Sequence, residues 1–218
     1  MTQTARFRYR IVFAKTAHMR FTSHLDLHRA WERTLRRAGT PLTYSQGYNP
    51  RPKLNIGQAL PLGFTSANDL VDVWLEERWQ EARLLQSLRN AAPPGLEIQA
   101  VEELEPAAPT LQKSIQSTEY HVSVADEIDP SALQARLTTL LESETWPRER
   151  RGKKYDLRPL IESLSLKTES GEQTLIMRLK ADEGATGRPD EVLEALALNP
   201  NQARVHRSKL ILKDKQVA

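Results

Sequence analysis

Apolar residues along the chain alternate, then recur at helical spacing, in an order that appears twice. Phe7 to Ala14 (FRYRIVFA) alternates as a half-buried strand does. Ser23 offers an N-cap with Asp26 three residues on, and the helix it opens runs to Ala38, with Gly39 as its C-terminal cap. Leu27, Trp31, Leu35 and Ala38 predict the buried stripe of that helix. Leu42 to Ser45 predicts a short strand, Leu70 to Leu75 (LVDVWL) a second, Gln80 to Ala91 a helix stopped by Pro93, Pro94 and Gly95, and Leu96 to Val101 a further strand. This β-α-β-β-α-β order is the split arrangement of a ferredoxin-like domain.

The order then returns. Ser117 to Val124 predicts a strand, and Asp129 caps a helix that has Pro130 at its first position and runs to Glu142. Ile161 to Lys167 and Thr174 to Lys180 predict a hairpin across a turn at Glu169 to Glu172. Pro189 opens a helix to Leu198, and Ala203 to Leu212 closes the pattern as a strand. The expected fold class is α+β, with two tandem ferredoxin-like (βαββαβ) domains and antiparallel sheets. Residues 1–104 form the first, 105–112 (EPAAPTLQ) have the composition of a linker, and 113–218 form the second. Identity between the halves is not visible; only element order repeats.

Composition adds a compartment. The chain has no cysteine, which excludes disulfides, thiolate metal ligands and a cysteine nucleophile. MTQTARFRYR has no apolar signal core, and no apolar run approaches the ~18 residues of a membrane helix. A cytoplasmic protein without a membrane partner is expected.

Charge adds a partner. The net charge of +3 hides a strong asymmetry. Met1 to Gln58 holds eleven Lys or Arg against two Asp or Glu, Ala59 to Pro147 five against fifteen, and Arg148 to Ala218 fifteen against eleven. Segregation of this kind suits an anionic partner, although basic and acidic segments also meet inside folds. At about 100° per residue, Arg29, Arg33 and Arg36 share the helix face opposite Trp31. After the helix comes YSQGYNPRP, Tyr44 to Pro52, followed by Lys53. Its prolines exclude a helix or an interior strand, yet two tyrosines make it too aromatic for a plain loop. The corresponding stretch of the second half, PRERRGKKYDLRP, gathers Arg148, Arg150, Arg151, Lys153, Lys154 and Arg158 around Tyr155. Cations neutralise phosphates and tyrosine rings stack on unpaired bases, so Tyr44, Tyr48, Arg51 and Lys53 join this set as candidate RNA contacts. Each has a plainer role as well: a solvated helix face for the arginines, core anchoring for the tyrosines.

The block FTSHLDLHRAWERTLRRAGTPLTYSQGYNPRPKL, with ALPLGFTS, LVDVWLEE, KYDLRPLIESL and VHRSKLIL after it, resembles the radical-SAM-linked proteins, a family built on a domain of unknown function. In that family the domain stands alone or follows a radical-SAM module. A chain without cysteine cannot hold the three-cysteine iron–sulfur cluster of that chemistry, so the resemblance implies a radical-SAM partner on another chain.

Catalysis has one weak pair of candidates. His24 and His28 lie four apart early in the first helix, and two imidazoles on one face can bind zinc or act as acid and base on RNA. CRISPR repeat-processing endoribonucleases use tandem ferredoxin-like domains with such a histidine, but the glycine-rich loop near their C-terminus is missing here. His24 also falls on the core side of the wheel. Pseudouridine synthases pair two such folds around an Arg-x-Asp aspartate. Asp156 is the nearest match, and it reads better as the cap of a turn beginning at Leu157. No nucleotide-binding fingerprint occurs.

Together these features predict an RNA-binding accessory in RNA modification or processing, acting on transfer or ribosomal RNA, with no cofactor, no metal and no independent catalysis. Two alternatives remain: an RNA endonuclease or modifying enzyme using His24 or His28, and an adaptor that docks a radical-SAM partner through the acidic middle, Asp69 to Glu105.

Overall fold

Strand β1 (Phe7–Lys15) buries Tyr9, Ile11 and Phe13 completely, as its alternation requires. Helix α1 (His24–Arg37) covers this face with Leu27, Trp31 and Leu35, and Trp31 meets Phe13 edge-on at 5.0 Å. Its N-cap is Ser23, whose Oγ accepts the Asp26 N–H (3.2 Å), and Gly39 follows its last turn, donating to the Arg36 carbonyl (3.1 Å). The computed structural model describes residues 6–124, 128–169, 172–182 and 185–213. The chain divides into two compact units, Met1–Ser114 and Ile115–Ala218. Both mix helices with antiparallel strands, so the chain is α+β.

In the first unit, β2 (Leu54–Ile56) pairs with β3 (Thr65–Leu75), β3 with β1, and β1 with β4 (Leu96–Leu104), all antiparallel. Helix α2 (Glu81–Ala91) packs Leu84 and Leu88 into the same core as α1. The expected strand at Leu42 to Ser45 is a correction: Leu42 and Tyr44 make only isolated bridges, to Leu75 and Pro52, and β3 takes its strand partner from beyond the proline-rich loop. The loop is thus the outgrowth of a hairpin rather than a link between two strands. Residues 105–112 are not a loose tether. Arg8 donates to the carbonyls of Ala108 (2.9 Å) and Pro109 (2.8 Å), and Leu111–Ser114 forms the short helix α3.

In the second unit, β5 (Ile115–Val124) lies between β9 (Glu172–Asp182) and β11 (Ala203–Leu212), and β8 (Ile161–Glu169) pairs with β9, again all antiparallel. Helix α4 (Pro130–Glu142) is capped by Asp129, which accepts the Ala132 N–H (3.1 Å), and buries Leu133, Leu137 and Leu140. The turn expected between Glu169 and Glu172 lies partly outside the described residues. Helix α5 (Pro189–Ala195) ends three residues before the expected Leu198, because Ala197 turns to φ +54° and the Leu198 N–H donates back to the Leu193 carbonyl.

Besides β2, three strands escaped the sequence pattern. β10 (Ala185–Thr186) is a two-residue extension that pairs with β9. β6 (Pro147–Arg150) and β7 (Lys153–Asp156) form a separate hairpin turning on Arg151 (φ +50°) and Gly152 (φ +76°). Two successive residues with positive φ make the kind of turn whose twist matches a two-residue hairpin. No helix among the described residues is long and apolar enough to cross a membrane.

Candidate functional site

The segment from Leu42 to Leu54 is a protruding hairpin held by backbone bonds at its root. The Thr43 N–H donates to the Trp74 carbonyl (2.9 Å), the Trp74 N–H to Lys53 (3.2 Å), and the Lys53 N–H to Thr43 (2.7 Å). One step further out, the Ser45 N–H donates to the Arg51 carbonyl (2.8 Å), and the Arg51 N–H to the Ser45 hydroxyl (3.1 Å). Pro52, which lacks a donor, sits buried beside Tyr44. Beyond this ladder residues 46–50 are exposed. Tyr48 is 100% exposed and Tyr44 39% exposed, so neither is a core anchor. Gly47, at φ +141°, takes a backbone conformation that a side chain would strain. The backbone bonds at the root fix where the loop emerges, and the Tyr48 ring at its tip stays open to a partner.

Cations flank this tip unequally. Arg51 is exposed and has no ion pair among the described residues. Lys53 lays its ammonium 4.6 Å over the Trp74 ring, which also takes the Arg8 guanidinium at 5.3 Å, so Lys53 is partly engaged within the unit. On α1, Arg29, Arg33 and Arg36 are all exposed. Arg29 meets Asp26 at 2.9 Å, and Arg36 lies 3.8 Å from Glu32. Hydrogen bonds from Ser23 and Arg29 hold the Asp26 carboxyl below its ordinary pKa. Arg33 has no ion pair among the described residues, and neither has Arg37, its exposed neighbour in the last turn, which the sequence pattern did not single out.

The two helix histidines have different surroundings. His28 Nδ1 lies 3.3 Å from Glu32 across one helical turn, and His24 is half-buried at the first turn. Among the described residues, no three His, Asp or Glu side chains gather as metal ligands.

The basic stretch of the second unit splits in two. Arg148 pairs with Glu191 (3.1 Å) and with Glu194, and Arg150 reaches Asp190 (3.6 Å) and Glu191 (3.7 Å), fastening one face of the β6–β7 hairpin to α5. Tyr155, opposite Arg148 in the hairpin, hydrogen-bonds Glu191. Burial first, then that carboxylate, push its phenol up to about 12. Burial alone would raise Glu191; the hydrogen bonds from Tyr155 and Arg148, with the charges of Arg148 and Arg150, hold it below its ordinary value. Arg158 donates twice to the Leu141 carbonyl (2.9 and 3.1 Å) and once to Ile161 (3.1 Å), closing the C-terminal turn of α4. Four residues expected to face RNA (Arg148, Arg150, Tyr155 and Arg158) are thus occupied inside the unit. Arg151, Lys153 and Lys154 remain exposed, without ion pairs among the described residues. Asp156 accepts the N–H groups of Trp146 (2.7 Å) and Arg158 (3.0 Å); the helical turn begins one residue later than expected, at Arg158, with Leu157 at the N-cap position.

The acidic middle divides between core and surface, with Glu76, Glu77, Glu81, Glu97, Glu102 and Glu105 exposed. Asp69 and Asp72 are buried, and Asp72 takes both Arg8 and Arg10. Glu103 pairs with Arg78 at 2.9 Å.

Residues 8–189 match a family described as an uncharacterized protein conserved in bacteria (DUF2344). The chain belongs to this family. No curated protein matches it. Among solved structures, a crystal structure of a Cbf5-Nop10-Gar1 complex is similar over 94% of this chain and 48% of that one, at 10% identity and a TM-score of 0.48. An archaeal box H/ACA sRNP Nop10-Cbf5 complex covers 94% and 46%, at 10% identity and a TM-score of 0.44. A putative glycine cleavage system transcriptional repressor covers 95% and 99%, at 13% identity and a TM-score of 0.25. The chain spans about half the length of the first two.

Proposed function

We propose that this protein binds unpaired RNA and leaves it chemically unchanged, as an accessory in the modification or processing of transfer or ribosomal RNA. The observation that carries this proposal is Tyr48, wholly exposed at the tip of a backbone-pinned hairpin whose flanking Arg51 has no acidic partner among the described residues. An exposed ring beside unpaired cations is the pairing that single-stranded nucleic acid requires: stacking for a base and charge for its phosphates. Arg33 and Arg37 on α1, and Arg151, Lys153 and Lys154 on the second unit's hairpin, extend the set of cations. Arg29, Arg36 and Lys53 contribute as shared charges.

The strand orders β4-β1-β3-β2 and β11-β5-β9-β8, antiparallel throughout, support two ferredoxin-like domains, divided near residues 105–112. The resemblance to radical-SAM-linked proteins supports a radical-SAM enzyme, on a separate chain, as the partner that performs the chemistry.

The test is to incubate labelled single-stranded and duplex RNA of one sequence with the protein, reading affinity by fluorescence anisotropy and RNA integrity by gel and mass spectrometry. Salt-sensitive binding that favours the single strand, with the RNA recovered intact, is the expected result. Cleaved or modified RNA would establish the enzyme instead, and absence of binding would leave an adaptor.

A further inference from the structure

We propose that the recess at the root of the Tyr44–Lys53 hairpin is a base pocket for an unpaired guanine, an inference that rests on the RNA-binding proposal above. The recess has a volume of about 350 Å³ and is lined by Arg6, Thr43, Tyr44, Ser45, Gln46 and Glu76, among others. That volume lies at the lower end of the roughly 300–1,000 Å³ range of small-molecule sites.

Thr43 points to a ligand. It is 3% exposed, and its Oγ1 has no hydrogen-bond partner among the described residues. A buried hydroxyl without a partner is costly and uncommon, and a polar ligand atom in the recess would complete it.

Glu76 selects the kind of ligand. In the β1–β3 ladder Phe7 lies opposite Leu75, so Arg6 and Glu76 follow as neighbours at the end of the sheet. A carboxylate in the wall repels a phosphate and asks for N–H donors. Guanine alone among the four bases offers two adjacent N–H donors on its pairing edge, matching the two carboxylate oxygens. Uracil flanks its single N–H with two carbonyls, which the carboxylate repels, and adenine and cytosine each offer one amino group. The Arg6 guanidinium and the Gln46 amide supply donors for the guanine carbonyl, and the half-exposed Tyr44 ring supplies a face to stack on. Tyr48, outside the recess, remains available to a neighbouring base.

The experiment measures anisotropy with a short labelled oligouridine carrying one central guanine, inosine, adenine or cytosine. Wild type should bind the guanine oligonucleotide roughly tenfold or more tightly than the adenine one, with inosine, which lacks the amino group, between them. Glu76→Gln, an exposed position, should collapse that preference, bringing the guanine and adenine affinities to within about twofold of each other. Thr43→Val, nearly isosteric, should weaken guanine binding in a protein whose circular dichroism is unaltered. Equal affinity for all four oligonucleotides would overturn the pocket and leave RNA capture standing. Preference retained in Glu76→Gln would overturn the pairing chemistry. Guanosine monophosphate binding as tightly as the guanine oligonucleotide would overturn assignment to an RNA base in favour of a free nucleotide. No binding by any oligonucleotide would overturn this proposal together with the one beneath it.

Discussion

Tyr48 and Asp72 mark the two extremes of what one residue does in this molecule. Tyr48 touches nothing within its unit, so Tyr48→Ala should leave the melting temperature unchanged. The same change should weaken binding to single-stranded RNA by about 1–3 kcal/mol if a base stacks there. Equal affinity in both proteins would show that the ring has no base. Asp72 is wholly buried between Arg8 and Arg10, with Arg10 Nε at 2.8 Å. Asp72→Asn keeps the shape but removes the charge that two guanidiniums share. Breaking a buried pair in this way costs about 3–5 kcal/mol, which urea unfolding should register. His24 and His28 fall between these cases. Replacing both with glutamine should lower stability and leave RNA affinity largely intact. A folded double variant that had lost an RNA-cleaving activity would restore the enzymatic alternative.

Among the elements, the β6–β7 hairpin shows how a basic stretch becomes structure. Its inner face is fastened to α5 through Glu191, and two titrations bound that attachment. The folded pKa of Glu191 is depressed, so its contribution is present above the ordinary value of 4.5 and lost as pH falls through the lower folded value. The folded pKa of Tyr155 is raised from 10.0 to about 12, so its contribution is complete below 10.0 and lost as pH climbs toward 12. Stability should therefore fall on both sides of a plateau between about pH 5 and pH 10, and Tyr155→Phe should flatten the alkaline limb. Urea midpoints across that range check this, and an unchanged alkaline limb would contradict the Tyr155–Glu191 bond.

This hairpin was also the least legible element. PRER and KKYD have no apolar alternation, and their partners on α5 lie some forty residues away in sequence, so nothing local announces a strand. Helix α1 was legible because Leu27, Trp31 and Leu35 repeat with the period of a helix and Ser23 caps it. The proline loop was legible as irregular, but its root was not. Thr43, Arg6 and Glu76 meet through strand register, and no spacing in the sequence brings residues 6, 43 and 76 together. Arg148, Arg150 and Arg158 looked like Lys153 and Lys154 in sequence. Only tertiary partners distinguish a cation that closes a helix from one that faces water.

For the molecule as a whole, function turns on whether the exposed cations of the first unit neutralise phosphates. Net charge alone does not answer this, since the +3 of the chain is spread across segments of opposite sign and many cations are paired internally. Arg33, Arg37 and Arg51 are exposed and have no ion pair among the described residues, so replacing all three with alanine should cost little stability. Each phosphate contact on a single strand contributes about 0.7 to the slope of log affinity against log salt concentration. The decisive measurement is therefore a salt titration of binding to one unpaired RNA by wild type and by the Arg33→Ala, Arg37→Ala, Arg51→Ala triple variant. Three lost contacts should make the slope shallower by about 2. The same slope and affinity in a folded triple variant would show that this surface does not hold RNA.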